Sequence, residues 1–245
     1  MLGTMVVRHG EYGIDAPAVP ATFVGIGTAA LVPAVTGFPG RRLRPAWALL
    51  AATFLGSAAS YLYATRSGKF RAWADVLDGL GLRGDERVLD MGCGRGAVLL
   101  AAAQRLGAGG RAVGVDLWRG VDQSGNAEAT TLANARAEGV AERVELRTAD
   151  MTALPFPDGG FDLVLSSLAI HNIPAADGRA TAVTAAVRML APGGRLAIAD
   201  IQHVDSYAAH LRTLGLVPQV RDLGPRLWFG GPWVSTKLVT AARPA

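Results

Sequence analysis

The chain has 245 residues, half of them hydrophobic and 18% charged, with a formal net charge of +4. Together with a mean hydropathy of +0.27 this excludes a disordered, collagen-like or mucin-like chain, and the length fits one α/β domain plus a modest appendage. A lone cysteine, Cys93, excludes a disulfide framework, paired-thiol redox chemistry and a cysteine-built zinc site, so no metal is expected.

The basic excess lies at the start of the chain. Residues 1–71 hold Arg8, Arg41, Arg42, Arg44, Arg66, Lys69 and Arg71 against Glu11 and Asp15, a net of +5, which leaves −1 for the rest. That segment also holds the two longest uncharged runs, so the basic residues read as flanks of membrane segments and not as nucleic-acid contacts. The runs extend from Ala16 to Gly40 and from Pro45 to Thr65, with apolar hearts at Pro20–Phe38 and Trp47–Tyr63. Each is close to the roughly 20 helical residues that cross a bilayer.

Residues 1–66 are therefore expected to form a membrane hairpin of two hydrophobic, transmembrane-length helices, turned by Phe38-Pro-Gly-Arg-Arg-Leu-Arg-Pro45. Residues 67–245 would form a separate catalytic domain that folds without it. Pro33 is expected to kink the first helix, and Ala52, Gly56 and Ser60 to give the second a small contact face. Trp47, Tyr61 and Tyr63 would mark the membrane interfaces. A buried soluble hairpin or a signal peptide are the alternatives, although no small-x-small cleavage site follows the first run. Positive-inside counting ties, with three basic residues in the turn and three after it, so spanning and re-entrant hairpins both stay open. A domain that uses a cytoplasmic cofactor favours a cell-membrane protein with its catalytic half in the cytoplasm.

From Lys69 onward short apolar runs alternate with amphipathic stretches. Arg87–Met91, Arg111–Asp116, Arg143–Thr148, Phe161–Ser166 and Arg195–Asp200 read as buried strands. Ala97–Leu106, Gly125–Gly139, Ala175–Leu190 and Asp205–Leu214 read as helices. The alternation predicts an α/β fold, a doubly wound, Rossmann-like parallel sheet covered on both faces. Leu216–Asp222 and Pro232–Ala241 are extended runs with no room between them for a crossover helix, so their pairing is expected to be antiparallel.

Val88-Leu-Asp-Met-Gly-Cys-Gly-Arg-Gly96 is the most informative stretch. Its glycines allow a sharp strand-to-helix turn and a close approach of backbone N–H groups to a ligand. Gly92, Gly94 and Ala97 also fit the relaxed dinucleotide pattern, which keeps a nicotinamide-dependent oxidoreductase as an alternative. Asp90 discriminates, because a carboxylate beside the turn repels pyrophosphate but suits the ammonium and sulfonium of S-adenosylmethionine.

The nonapeptide, Val113-Gly-Val-Asp-Leu117, Ala149-Asp-Met151, Phe161-Asp-Leu-Val-Leu-Ser166 and Ala191-Pro-Gly-Gly-Arg-Leu196, in this order, resemble the class I S-adenosylmethionine-dependent methyltransferases. The resemblance covers roughly Lys69 to Pro244. It implies a seven-stranded sheet with the last strand antiparallel, and S-adenosyl-L-methionine as cofactor. It further implies that Asp90 and the glycines Gly92, Gly94 and Gly96 approach the methionyl part, that Asp116, with Leu117 beside it, takes the ribose hydroxyls, and that Asp150 and Met151 meet the adenine. Cys93 reads as a small residue of the turn. The Trp118–Asn126 stretch either caps the next helix or covers the adenosine, with Trp118 stacking.

Acceptor residues are expected at strand carboxyl ends. Ser166-Ser-Leu-Ala-Ile-His-Asn172 places His171 at the rim, with the right side chain for a general base, or for a capping role. Asp200 and His203 are second candidates. The N-P-P-Y and D-x-x-Y motifs of relatives that methylate amides, nucleobases or protein lysines do not follow the fourth strand. That favours a small-molecule acceptor, and the hairpin favours a lipophilic one such as a quinone or lipid intermediate. A protein acceptor and a non-catalytic scaffold remain the other readings.

Overall fold

The computed structural model describes residues 8–38 and 40–245; residues 1–7 of the expected hairpin segment and Pro39 of its turn lie outside the described residues. Two antiparallel helices, α1 (Ala18–Thr36) and α2 (Arg44–Tyr63), rise from an α/β body. The body comprises α3 (Lys69–Leu80), β1 (Arg87–Met91), α4 (Ala97–Ala103), β2 (Arg111–Asp116), α5 (Glu128–Ala137), β3 (Val144–Thr148) and β4 (Phe161–Ser167). It continues through α6 (Ala176–Met189), β5 (Leu190–Asp200), α7 (Val204–Thr213), β6 (Gln219–Asp222) and β7 (Lys237–Ala242).

The seven strands lie in the order β3-β2-β1-β4-β5-β7-β6, with β7 antiparallel to both its neighbours and the other pairs parallel. This is the expected doubly wound, Rossmann-like sheet. Strand residues alternate between two cores, as a period of two requires. Leu89, Met91, Val164 and Ile198 face α6 and α7, while Val88, Leu163, Leu165 and Ala197 face α3 and α4. The strand order reverses between β1 and β4, and a parallel sheet opens its binding crevice at the carboxyl ends beside such a reversal.

The hairpin hides little of itself. In α1 only Pro20, Gly27 and Ala30 are buried, and in α2 only Ala51, Ser57, Ala58 and Tyr61. The contact seam is offset from the expected one: Ala52 and Gly56 are exposed, and Leu55 fills the place of the side chain that Gly27 lacks. Ser60 turns instead to the body, donating to the Trp228 carbonyl at 2.9 Å. Pro33 lies in the last turn of α1, where its carbonyl accepts the Gly37 N–H.

No break separates hairpin from body at residue 66. A π-helical turn, Ala64–Gly68, carries α2 directly into α3, and the residues before α1 are bound to the body. His9 and Gly10 donate their N–H groups to Glu138, and Glu11 exchanges bonds with the Asn134 side chain. Ile14 pairs with Ser124, and the Ala16 N–H reaches the Asp122 carbonyl. Asp15 then accepts from Lys69 at 2.9 Å, Thr65 at 2.7 Å and Gln123 at 2.8 Å, with Lys69 almost fully buried.

This strap shifts the expectation for truncation. A chain starting at Ser67 loses Asp15, Thr65 and the strap bonds to Glu138, Asn134 and Ser124 together, and it uncovers Lys69, Gln123 and the body surface beneath them. It is expected to aggregate or to melt far below the full chain. Replacing residues 25–56 by a short Gly/Ser linker keeps strap and ion pair, and is expected to give a folded body without detergent. Thermal unfolding followed by circular dichroism compares the two.

Candidate functional site

The carboxyl ends of β1, β2 and β4 frame a cavity of about 300 Å³. The turn after β1 is held by the carbonyl of Val115 on β2, which accepts the N–H groups of Gly92 and Cys93 at 2.8 and 3.0 Å. Positive φ at Gly92 (76°) and Gly94 (50°) folds the chain back under the cavity floor. A Cβ on Gly92 would lie 2.3 Å from that of Ala169, and one on Gly94 would lie 2.7 Å from the Gln123 amide oxygen.

Asp90, Gly92, Gly94, Asp116, Leu117, Asp150 and Met151 all line this cavity, so the structure brings together all but one of the expected cofactor residues. The exception is Gly96, which is not on the wall. Its φ of 86° starts α4, and its Cα faces Leu100 and Thr131. Cys93 lines the cavity as a buried thiol whose pKa burial pushes well up.

The carboxylates differ in their surroundings. Asp90 is 1% exposed, and neither of its oxygens has a hydrogen-bond partner. Burial, reinforced by the nearby charge of Asp116, pushes its pKa up to about 7. A buried carboxyl without a partner on a cavity wall is the complement of a cationic ligand group. Asp116 instead organises the protein: it accepts the Gly94 N–H at 2.9 Å, the Trp118 N–H at 2.6 Å and the Asn126 amide at 3.2 Å. Asp150 accepts the Thr152 N–H and hydroxyl at 2.8 and 2.7 Å, and these bonds hold its pKa down.

The loop after β2 covers the cavity without Trp118. The Trp118 indole donates to Thr148 at 2.8 Å, and it is Arg119, Asp122, Gln123 and Asn126 that form the wall. Nor does the loop cap α5, whose first turn follows Ala127 with no side-chain cap. Gln123 is the keystone, since its amide oxygen accepts the Arg95 N–H at 2.8 Å while its nitrogen donates to Asp15 and to the Tyr12 carbonyl.

Asp15 and Lys69 also line the cavity, and sequence reasoning missed them. A short polar strap paired with residues 46 or more positions away carries no periodic signal. The one hint was an isolated Asp next to an apolar run.

On the acceptor side the wall consists of Ser167, Leu168, Ala169, Asn172, Ile173 and Pro174. His171 is not on the wall itself: it lies between the lining residues Ala169 and Asn172 and near Asp122, 18% exposed, with Nδ1 2.5 Å from Asp200 Oδ1. Asp200 is fully buried and also accepts the His171 and Ile201 N–H groups and the Tyr207 hydroxyl. Burial and then Asp200 raise the Tyr207 pKa, so this hydroxyl stays a donor. A carboxylate only accepts, so Nδ1 carries a proton toward it, and in the neutral ring the lone pair is then on Nε2. The two sequence candidates His171 and Asp200 thus form one dyad. His203 is exposed and off the wall, at a bend preceding α7.

A doubly wound sheet with a reversed seventh strand, a glycine turn after β1 and an acidic end on β2 defines the class I S-adenosylmethionine-dependent methyltransferase fold. Residues 89–198 match the family described as methyltransferase domain. The fold and this match support a class I S-adenosylmethionine-dependent methyltransferase, and they indicate S-adenosylmethionine as the cofactor.

Among similar proteins, the 27-O-demethylrifamycin SV methyltransferase of Amycolatopsis mediterranei is 31% identical over 169 residues, covering 57% of each chain. The demethylmenaquinone methyltransferase of Lactiplantibacillus plantarum is 33% identical over 139 residues, covering 56% of this chain and 55% of its own. The chain thus spans little more than half the length of these curated relatives. A solved S-adenosylmethionine-dependent methyltransferase from Aquifex aeolicus shares the fold with a TM-score of 0.55 at 18% identity, over 69% of this chain and 88% of its own.

If Asp116 holds the ribose hydroxyls, Asp116→Ala loses both those contacts and the anchoring of the turn. It is expected to weaken S-adenosylhomocysteine binding by about 1.5–3 kcal/mol, the range for hydrogen bonds to a charged group. Isothermal calorimetry on the full chain measures it.

Proposed function

We propose that the protein transfers a methyl group from S-adenosylmethionine to a small, lipophilic acceptor, and that it works at the cell membrane with its catalytic body in the cytoplasm. The observation that carries the cofactor reading is Asp90, a buried carboxylate with no partner on the wall beside the glycine turn. It fits the ligand's ammonium, whereas a carboxylate beside the glycine turn would repel the pyrophosphate of a nicotinamide cofactor. The names of the relatives, methyltransferases of demethylrifamycin and demethylmenaquinone, support a small-molecule acceptor. The lipophilic reading is supported by Leu168, which lines the cavity and also packs against the cluster of Tyr61 and Phe229 at the hairpin root.

When bound, the cofactor supplies a methyl carbon already activated by its sulfonium. The chain's own residues then have two tasks, alignment and, for an acceptor that must lose a proton, its removal. Asp90 and the turn hold the methionyl end, Asp116 the ribose, and Asp150 and Met151 the adenine. His171 Nε2, with Asp200 fixing the tautomer, takes the acceptor's proton.

The test is incubation of the full chain in nanodiscs with methyl-labelled cofactor and a lipid extract. Label in a solvent-extractable small product is expected. Label in protein alone would point to a protein acceptor. Stabilisation by NAD and not by S-adenosylhomocysteine would overturn the cofactor assignment.

Asp90 also sets a pH dependence. An ammonium partner favours the ionised carboxylate, so binding lowers a pKa that stands at about 7 in the free protein. Below pH 7 binding must first expel a proton, so affinity for S-adenosylhomocysteine should rise from pH 5.5 to 7 with net proton release. Calorimetry in buffers of different ionisation enthalpy reads that release, and Asp90→Asn should abolish it.

A further inference from the structure

We infer that the hairpin root and the two loops bound to it form one lipid-facing surface, with the bilayer lying against the acceptor side of the cavity. The inference deepens the proposed function, because it names the surface through which a lipophilic acceptor arrives.

Two exposed apolar side chains outside the hairpin carry it. Trp233 is 68% exposed and lies on the link between β6 and β7. That link is fastened to the hairpin: the Trp228 carbonyl accepts from Ser60, the Phe229 ring meets Tyr61 edge-on at 5.2 Å, and the bare Cα of Gly230 faces the Phe23 ring. Val121 is 78% exposed and lies on the loop after β2, one residue before Asp122, whose carbonyl holds the Ala16 N–H at the start of α1. Two loops distant in sequence thus present apolar side chains beside the same root.

The occupant follows from the hairpin. An apolar helix pair built for a protein partner buries one stripe and presents charge elsewhere. Here Val24, Ile26, Leu31, Val32 and Val35 of α1 and Leu49 of α2 are exposed, on helices with no charged residue between Ala18 and Thr36 or between Pro45 and Tyr63. Surrounding hydrocarbon matches a pair that is apolar on every side. Above Phe23, α1 rises about 20 Å, roughly two thirds of a hydrocarbon core of about 30 Å, and Arg41, Arg42 and Arg44 gather at the tip, where Arg44 Nε donates to the Ala34 carbonyl at 2.9 Å. At the root, Tyr63 and Trp233 are exposed aromatics of the interfacial kind, and Arg66 is an exposed cation beside them. The cavity shares this root through Asp15, Lys69 and Leu168.

The test uses single labels on the full chain in phosphatidylcholine nanodiscs. Trp233→Cys and Val121→Cys carry an environment-sensitive fluorophore, and Val217→Cys is the control. Val217 is 84% exposed but precedes β6, at the end of the sheet away from the cavity. The native thiol, Cys93, is buried, and wild type gives the labelling baseline. Expected is loss of reactivity toward aqueous dithionite at 233 and 121, with quenching by shallow spin-labelled lipids, and full reactivity at 217.

Equal reactivity at all three positions overturns the inference. Protection without lipid quenching, at doubled mass, assigns the patch to a second copy and also overturns it. Cofactor affinity measured on the same samples separates this failure from failure of the methyltransferase reading.

Discussion

Replacing His171 by alanine should leave affinity for S-adenosylhomocysteine intact and slow methyl transfer by about 10²- to 10⁴-fold, the usual contribution of a general base. The basis is geometric. Asp200 is fully buried, 2.5 Å from Nδ1, and it also binds the His171 backbone N–H, so ring and main chain are fixed by one carboxylate. In the neutral ring that arrangement leaves Nε2 as the acceptor, on a residue that is itself off the wall but adjoins Asn172, which is on it. Asp200→Asn tests the dyad separately, because an amide can donate to Nδ1 and so stabilise the wrong tautomer. It should lose much of the same rate while binding cofactor normally. An acceptor whose nucleophile carries no proton would make both variants nearly silent, and rates within about threefold of wild type would reduce His171 to a structural role.

The sequence showed the body more clearly than the connections to it. Strands β1 and β2 begin and end at their expected residues because β1 runs from Arg87 to the Gly92 turn with Asp90 as its one polar interruption, and β2 is an apolar run, Ala112–Val115, between Arg111 and Asp116. Strand β5 starts at Leu190 and not at Arg195, since Leu190 pairs with Phe161 and Ala191-Pro-Gly-Gly194 is taken up in an irregularity before Arg195 meets Leu163. The small-residue seam of the hairpin was misplaced because Ala52, Gly56 and Ser60, four apart, also make a small-residue face, beside the true seam through Ala51 and Ala58, which lie seven apart. The strap was illegible for a different reason. Its bonds are between backbone groups and the side chains of Glu138, Asn134 and Ser124, a tertiary match that no local pattern announces. Among the glycines, spacing alone could not separate Gly92 and Gly94, which meet the cavity, from Gly96, which serves the helix.

That distinction leads to the second large effect. Gly92→Ala should reduce cofactor affinity by about 100-fold or more, the penalty for displacing binding groups by about 1 Å. The added Cβ would stand 2.3 Å from the Cβ of Ala169, closer than two carbons can approach, so the turn or the end of β4 must move. Either movement reshapes the wall where Gly92 and Ala169 face each other across the cavity floor. The positive φ of 76° adds a backbone cost of about 1 kcal/mol for any residue with a side chain. The two contributions can be separated. In the double variant Gly92→Ala with Ala169→Gly the clash is gone and only the backbone cost remains, so affinity should recover to within about tenfold of wild type. Calorimetry with S-adenosylhomocysteine on the two single variants and the double variant gives the coupling directly. Additive losses would mean that Gly92 is required for its backbone conformation alone, and that the close packing of β4 against the turn does not shape the cofactor cavity.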